Sequence, residues 1–180
     1  CIVSEDLVLY QSFDREKVAQ WLEKEDLPTV LARDWGFSIR NVEPTLKFDF
    51  LVGWTKEVAV SSHMVKQIKK NMNASFLQAS KETVISLVKA LEADHEETII
   101  ALLEQASQLL EGLSSDIYTP SLRQLKNASH DLKAVAKSSG AGGGDCGIAL
   151  SFDQDSTTLL KKRWADLGIE LLYQERIGHD

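Results

Sequence analysis

The sequence predicts an α+β fold in which helices pack on one face of a mainly antiparallel sheet. Three observations predict it. From residue 46 onward, short extended segments alternate with longer helical ones in the order strand, several helices, strand, helix, strand. The helical segments are amphipathic, so each needs a surface on which to bury one face. A tract with five glycines in eight residues, Gly140 to Gly147, runs directly into apolar Ile148-Ala149-Leu150, so it joins two packed elements rather than trailing into a linker.

Taken in order, residues 1–10 read as a strand or hairpin piece rich in Val, Leu and Ile. Cys1-Ile2-Val3 leads into Leu7-Val8-Leu9-Tyr10 as if a strand were already under way, which predicts a fragment or a processed chain. A short helix is expected from about Asp14 to Lys24, capped by Asp14, with Val18, Trp21 and Leu22 on one face. Leu27-Pro28 is expected to end that stretch, and Trp35-Gly36-Phe37 to turn into an extended segment. Asn41-Val42-Glu43-Pro44 reads as a linker that divides the chain into residues 1–44 and 45–180.

Leu46–Trp54 reads as a strand. Helices are expected from near Val60 towards Asn71, from Phe76 to Leu91 and from His95 to Glu111, with Gly112 suited to a left-handed C-cap. Thr119-Pro120 opens another helix, an N-cap hydroxyl followed by Pro, which is expected to carry Leu122, Leu125, Ala128, Leu132 and Val135. Gly147–Phe152 is then a strand, Ser156–Leu167 a helix with Leu159, Leu160 and Trp164 on its core face, and Ile169–Tyr173 the last strand.

Bulk composition narrows the function. Hydrophobic residues make up 43% and charged residues 26%, which suits a packed globule and not a disordered chain. A net charge of -7 disfavours a nucleic-acid surface, which needs clustered Lys and Arg. No apolar run approaches the roughly 20 residues of a membrane span, and no signal peptide is visible. The two cysteines, Cys1 and Cys146, make no disulfide framework and suit a reducing cytosol. His63, His95, His130 and His179 show no metal spacing with them. The triplets at Asn73 and Asn127 that match a glycosylation site read as chance in a chain without an export signal.

The glycine tract is the most specific feature. Glycine admits positive φ and close approach, and successive N–H groups can form a nest for an anion. In phosphate loops of the P-loop and dinucleotide folds the glycines precede a helix, whose N-terminus assists binding. Here they are expected to follow a helix and precede a strand, and no Gly-Lys-Ser/Thr ending is present. The tract therefore reads as a second wall of a site whose main phosphate loop lies elsewhere. Its Ser139-Gly140 does not make a Gly-x-Ser-x-Gly elbow, which argues against a serine hydrolase.

Lys137-Ser138-Ser139-Gly140-Ala141-Gly142-Gly143-Gly144-Asp145-Cys146-Gly147-Ile148 resembles the third conserved motif of the GHMP kinases, and its Gly-Gly-Gly-Asp-Cys ending resembles the version in phosphomevalonate kinases. Leu51-Val52-Gly53-Trp54-Thr55-Lys56-Glu57-Val58-Ala59-Val60-Ser61-Ser62-His63-Met64-Val65 is similar to a strand–loop–helix segment of the same enzymes, and the likeness extends through Asp116-Ile117-Tyr118-Thr119-Pro120 and Gln174-Glu175-Arg176-Ile177-Gly178. The resemblance implies a split β-α-β, ferredoxin-like C-terminal domain with extra helices over residues 45–180, and a remnant of the N-terminal domain over 1–44. It implies ATP- and Mg2+-dependent phosphorylation of 5-phosphomevalonate to 5-diphosphomevalonate. It also implies that the serine-rich ATP loop and the catalytic aspartate belong to an N-terminal half that precedes Cys1. ATP and Mg2+ would be bound mainly there, so no catalytic residue is assigned within this chain. Another GHMP enzyme, a mevalonate kinase or a diphosphomevalonate decarboxylase, is the alternative within the class. A non-catalytic helical interaction module is the alternative outside it.

With that resemblance, Ser61 and Ser62 are candidate substrate contacts at a helix start, where free N–H groups suit a phosphate or carboxylate; plain N-capping is the competing reading. Lys56 and Lys137 are candidate anion contacts, Lys137 the better placed because it directly precedes the loop. Ser138, Ser139, Gly140, Ala141, Gly142, Gly143, Gly144 and Asp145 are the candidate phosphate-facing loop, with Gly142 expected to leave space through which substrate or the facing phosphate loop approaches. Asp145 has two readings, a general base or magnesium ligand and a loop organiser, of which the second is preferred. Cys146 reads as a small buried residue at the start of a strand rather than a nucleophile.

Overall fold

The structure, a computed structural model, describes residues 7–58, 68, 71–140 and 142–178. The chain divides into two compact units, Cys1–Glu43 and Pro44–Asp180.

In the first unit β1 (Val8–Gln11) pairs antiparallel with β2 (Ser38–Asn41). Asp14 caps α1 (Arg15–Leu22) by accepting from the amides of Glu16 and Lys17 at 3.0 and 3.1 Å. Leu27-Pro28 corrects an expectation, since it begins a helix, α2 (Leu27–Leu31), instead of ending a stretch. Asp26 caps that helix by accepting from the Thr29 amide at 2.9 Å, and Pro28 sits in the first turn, where a missing N–H removes no helical bond. The Trp35 indole donates to the Val30 carbonyl at 2.8 Å, and its ring meets Phe13 edge-on. Val18 and Val30 are the buried residues of these two helices.

The second unit is built on a four-stranded antiparallel sheet. Its strands are β3 (Phe48–Trp54), β4 (Ala134–Ser138), β5 (Cys146–Ser151) and β6 (Glu170–Ile177), in the order β4-β5-β3-β6. Between β3 and β4 lie α3 (Ala74–Glu92), α4 (Glu96–Leu113), a 3-10 turn (Ser115–Ile117) and α5 (Pro120–Asn127). Between β5 and β6 lies α6 (Gln154–Asp166). This is the split β-α-β arrangement with extra helices, and the strands expected around Leu46–Trp54, Gly147–Phe152 and Ile169–Tyr173 share one sheet. The helical stretch expected from Val60 lies almost wholly outside the described residues, as do Ser61 and Ser62.

Two expectations in this unit are corrected. The helix opened by Thr119 stops at Asn127, and Ala134–Ser138 is a strand. Tight turns follow Asn127, with the amides of Ser129 and His130 bonded to the carbonyls of Lys126 and Asn127, and Asp131 takes a φ of 64° that no helix can continue through. Gly112 is not a left-handed cap, because α4 runs through it to Leu113 and Ser114 leaves in an extended conformation.

The core beneath one sheet face follows from the pleat. Leu51 on β3 stands opposite Ala149 on β5, which stands opposite Ala136 on β4, so all three point to one side. On that side they meet Leu125 and Ala128 at the end of α5, Leu160 and Trp164 on α6, and Ile169. Trp164 is fully buried, and its indole donates to the Leu125 carbonyl at 3.1 Å, so its one polar atom is satisfied. On the same side the buried carboxylate of Asp49 accepts from Thr157 Oγ1 at 2.7 Å and pairs with Arg176 at 3.2 Å. The small residues leave room for the large ring. A Cβ on Gly53 would lie 2.8 Å from Trp164 Cζ3 and 3.1 Å from Ile169 Cγ2. We expect Gly53→Ala to cost about 1–3 kcal/mol through this overpacking, read as a lowered urea midpoint at unchanged slope. An unchanged midpoint would show that the ring moves away freely.

Candidate functional site

The glycine tract is the loop of a β-hairpin. It joins β4 to β5, so it follows a strand and not the helix expected from sequence, and the absence of a helix N-terminus behind it is explained. Its arms close with Ser139, whose amide donates to the Cys146 carbonyl at 3.0 Å and whose hydroxyl donates to the same oxygen at 2.9 Å. Beyond that point Gly142, Gly143, Gly144 and Asp145 all have positive φ, from 66° to 116°. Glycine adopts this region without penalty, which is why three of these four positions carry it.

The far arm of the loop is stapled to two other segments. The Gly143 amide donates to the Ile117 carbonyl at 2.8 Å, and the Asp145 amide donates to the Glu57 carbonyl at 2.8 Å. The Asp145 carbonyl in turn accepts both the amide and the hydroxyl of Thr55, each at 2.8 Å. Glu57 is itself tied to α5, because Ser121 Oγ donates to its carboxylate at 2.7 Å. The segment leaving β3 and the glycine hairpin, which the sequence singled out separately, are therefore one structural feature.

The root of the loop is held by a different device. The Ser139 amide donates to the Cys146 carbonyl of β5 and the Lys133 carbonyl accepts from the Phe152 amide just past it, and bonded and non-bonded pairs alternate in an antiparallel ladder. The Ser138 amide must then point away from β5. β4 is an outer strand, so no strand among the described residues can receive that amide. Ser138 is completely buried, and its amide instead donates to the Tyr118 hydroxyl at 3.3 Å. That hydroxyl also shares a 2.5 Å hydrogen bond with Ser107 of α4, again fully buried. An unpaired amide here would cost about 1–3 kcal/mol.

Not every amide of the loop is used. The amides of Ser139, Gly143 and Asp145 are used, whereas those of Gly140, Gly142 and Gly144 have no acceptor among the described residues. Gly140 is exposed, and a Cβ placed on it would meet nothing within 4 Å. Gly142 differs from the sequence-based expectation. The space a side chain would need there is taken by Ile117, whose carbonyl oxygen would lie 2.2 Å from a Cβ, so the close approach is by the protein itself. Ala141 lies outside the described residues.

The candidate lysines stand in different places. Lys56 follows the end of β3 with a φ of 63°, and its exposed ammonium lies 3.6 Å from the Glu170 carboxylate. Lys137 is half-buried and donates to the Ser138 carbonyl at 2.5 Å, turned along the strand that leads into the loop. Burial holds its pKa below the ordinary lysine value. Cys146 begins β5, half-buried, and its thiol is pushed up by burial first and then by the Asp145 carboxylate, which leaves it a poor nucleophile at neutral pH. Asp145 bonds both neighbouring segments through its backbone, while its carboxylate accepts from the Cys146 thiol at 3.7 Å. Among the described residues no group of three or more His, Cys, Asp or Glu could hold a metal ion, and no helix is long and apolar enough to cross a membrane. Sequence reasoning missed Ser107, and it quoted Thr55, Ile117 and Tyr118 without giving them a role.

A hairpin loop on an antiparallel sheet of order β4-β5-β3-β6, pinned to the exit of the central strand, defines a class. Residues 87–170 match the family described as "GHMP kinases C terminal", and the chain carries a GHMP kinase C-terminal domain. Within that class it is similar to the phosphomevalonate kinase of Streptococcus pneumoniae, at 76% identity and a TM-score of 0.94, covering 98% of this chain and 55% of that one. The same enzyme has been solved in complex with phosphomevalonate and AMPPNP, matched at 76% identity and a TM-score of 0.94 over 98% of this chain and 54% of that one. The phosphomevalonate kinase of Streptomyces sp. strain CL190 is 30% identical over 175 residues, which is 90% of this chain and 47% of the relative. The chain thus spans about half the length of the proteins it matches.

Two expectations follow from the site. Gly142→Val would drive a branched side chain into the Ile117 carbonyl and strain a backbone at φ 78°. We expect a loss of about 3 kcal/mol in urea unfolding, the sum of overpacking and left-handed strain; an unaltered midpoint would mean that the loop swings clear. For Lys137 the sign is set by its lowered pKa. The unfolded chain binds the proton more readily, so this group makes stability rise with pH from its folded value up to the ordinary 10.5. Lys137→Met should be more stable than wild type at pH 7, with the difference shrinking as pH approaches 10.5. A constant difference across that window would contradict the burial of the charge.

Proposed function

We propose that this chain is the C-terminal part of an ATP-dependent phosphomevalonate kinase, which transfers the γ-phosphate of ATP to 5-phosphomevalonate and yields 5-diphosphomevalonate. The observation that carries the reading is the stapling of the β3 exit to the glycine hairpin, with the amides of Gly140 and Gly142 given no acceptor among the described residues and neither glycine buried. Phosphoryl transfer asks the protein chiefly for positioning and for compensation of negative charge. Spare amides on a loop fixed at both ends supply both. The high identity to an enzyme solved with phosphomevalonate and AMPPNP supports the same substrates here.

In this reading the loop from Ser138 to Asp145 forms one wall against the reacting phosphates, with Lys137 beside its root. Ser61, Ser62 and Lys56, on the segment that leaves β3, hold the anionic groups of the acceptor. Residues 1–44 are a remnant of the N-terminal domain and 45–180 the C-terminal domain. The ATP loop and the catalytic aspartate belong to the N-terminal half of the same enzyme. The free loop amides fit an anionic ligand such as the ATP phosphates. Mg2+ is assigned to the N-terminal half together with ATP, as the family resemblance implies. The location is cytoplasmic.

The test is a coupled ADP-release assay on the full-length protein and on this chain alone. The full-length protein should phosphorylate 5-phosphomevalonate and leave mevalonate and 5-diphosphomevalonate unchanged, while the chain alone is inactive. Ser62→Ala and Lys56→Ala should each raise KM for 5-phosphomevalonate about tenfold, the worth of one hydrogen bond to a charged group. Turnover of mevalonate or 5-diphosphomevalonate, or robust turnover by the chain alone, would overturn the assignment.

A further inference from the structure

We propose that Tyr118 is a positioning residue for phosphoryl transfer, acting through the glycine hairpin. The inference rests on the phosphate-facing role proposed for that loop. One dipeptide, Ile117-Tyr118, grips the loop twice. The Ile117 carbonyl receives the Gly143 amide on the far arm at 2.8 Å, and the Tyr118 hydroxyl receives the Ser138 amide at the root at 3.3 Å. Both residues are buried, Ile117 at 0% and Tyr118 at 2% exposure, so water cannot replace either bond without opening the core. Leu113 and Leu122 pack with them and fix the turn between α4 and α5. Thr119 then caps α5, its hydroxyl accepting from the Leu122 amide at 3.3 Å, so the dipeptide is held on its C-terminal side too.

The hydroxyl is the part of this clamp that chemistry can remove alone. Tyr118 needs its ring for packing, and the Lys126 ammonium lies 5.2 Å from the ring centroid. Its oxygen bridges Ser107 of α4 and the last residue of β4 before the glycines. Without it the buried Ser138 amide loses its acceptor, and the cheapest relief is for the root of the loop to turn that amide towards solvent. Ser138 Oγ also lies 3.4 Å from the Gly140 carbonyl, so rotation there carries Gly140 with it. The spare amides would then leave the position in which they meet a phosphate, although nothing that touches the ligand has been changed.

The test uses the full-length protein with Tyr118→Phe, alongside a control on α6 away from the loop, Thr157→Val, which loses a buried hydroxyl bond to Asp49 of β3. Turnover of 5-phosphomevalonate by wild type first establishes the underlying reading. Hydrogen–deuterium exchange over residues 138–146 reads the loop whether or not that reading holds. We expect Tyr118→Phe to lower kcat about tenfold, to change KM for either substrate less than threefold, and to speed exchange over 138–146. Thr157→Val, at a comparable loss of thermal stability, should keep kcat within twofold and leave exchange over 138–146 unchanged. Should Tyr118→Phe not fold, Ser107→Ala reads the same network from α4, with a loss of kcat of about threefold. Equal losses in Tyr118→Phe and Thr157→Val, unaltered exchange at the loop in Tyr118→Phe, or full kcat in Ser107→Ala would each overturn the proposal.

Discussion

Where β4 ends, the Ser138 amide must leave the sheet without reaching water. The strand is an outer one, its partner β5 lies on the other side, and the residue has no exposed surface. A buried amide without an acceptor is expensive, and the Tyr118 hydroxyl resolves it. The arrangement around the site depends on this constraint. To bring that hydroxyl to β4, α4 has to end in a turn that buries Ile117 and Tyr118, and α5 has to restart beside it at Thr119. The same turn brings the Ile117 carbonyl to the far arm of the loop.

The hairpin between them is therefore unlike a flexible glycine linker. Glycine costs conformational entropy on folding, and here that cost is offset by bonds from Gly143 and Asp145 to segments far away in sequence. Asp145 links the loop to the exit of the central strand through its own amide and carbonyl. Among the described residues the amides of Gly140, Gly142 and Gly144 have no acceptor, and those of Gly143 and Asp145 lie between and beyond them as bonded ones. A surface of preset donors suits a reaction in which charge is redistributed on phosphate oxygens, because no reorganisation is needed at the moment of transfer.

Much of this was legible in the sequence where one period dominates. β3, β5, α3 and α4 are long or strongly patterned, and the reading placed each within a few residues. β4 was not legible as a strand, because Leu122, Leu125, Ala128, Leu132 and Val135 happen to fall at helical spacing while Ala favours helix. The available signal was the glycine tract itself, since turn residues between two short apolar runs are a hairpin pattern. The loop could be singled out from its glycines, but the reason for Gly142 could not, because its neighbour Ile117 is distant in sequence. Tyr118 and Ser138 are likewise 20 residues apart, a separation that no local pattern encodes. α2 was hidden for the opposite reason: Pro28 was read as a stop, although after an Asp cap it marks a start.

The central claim is that the loop is held by bonds at the amides of Ser138, Ser139, Gly143 and Asp145, with the exposed Gly140 amide outside that network. Residue-resolved amide exchange of the wild-type chain by NMR tests it most directly. The account predicts slow exchange at Ser138, Gly143 and Asp145, and fast exchange at exposed Gly140 in the same loop. Uniformly fast exchange from Ser138 to Asp145 would contradict it, because the tract would then be the flexible linker that its glycine content suggests.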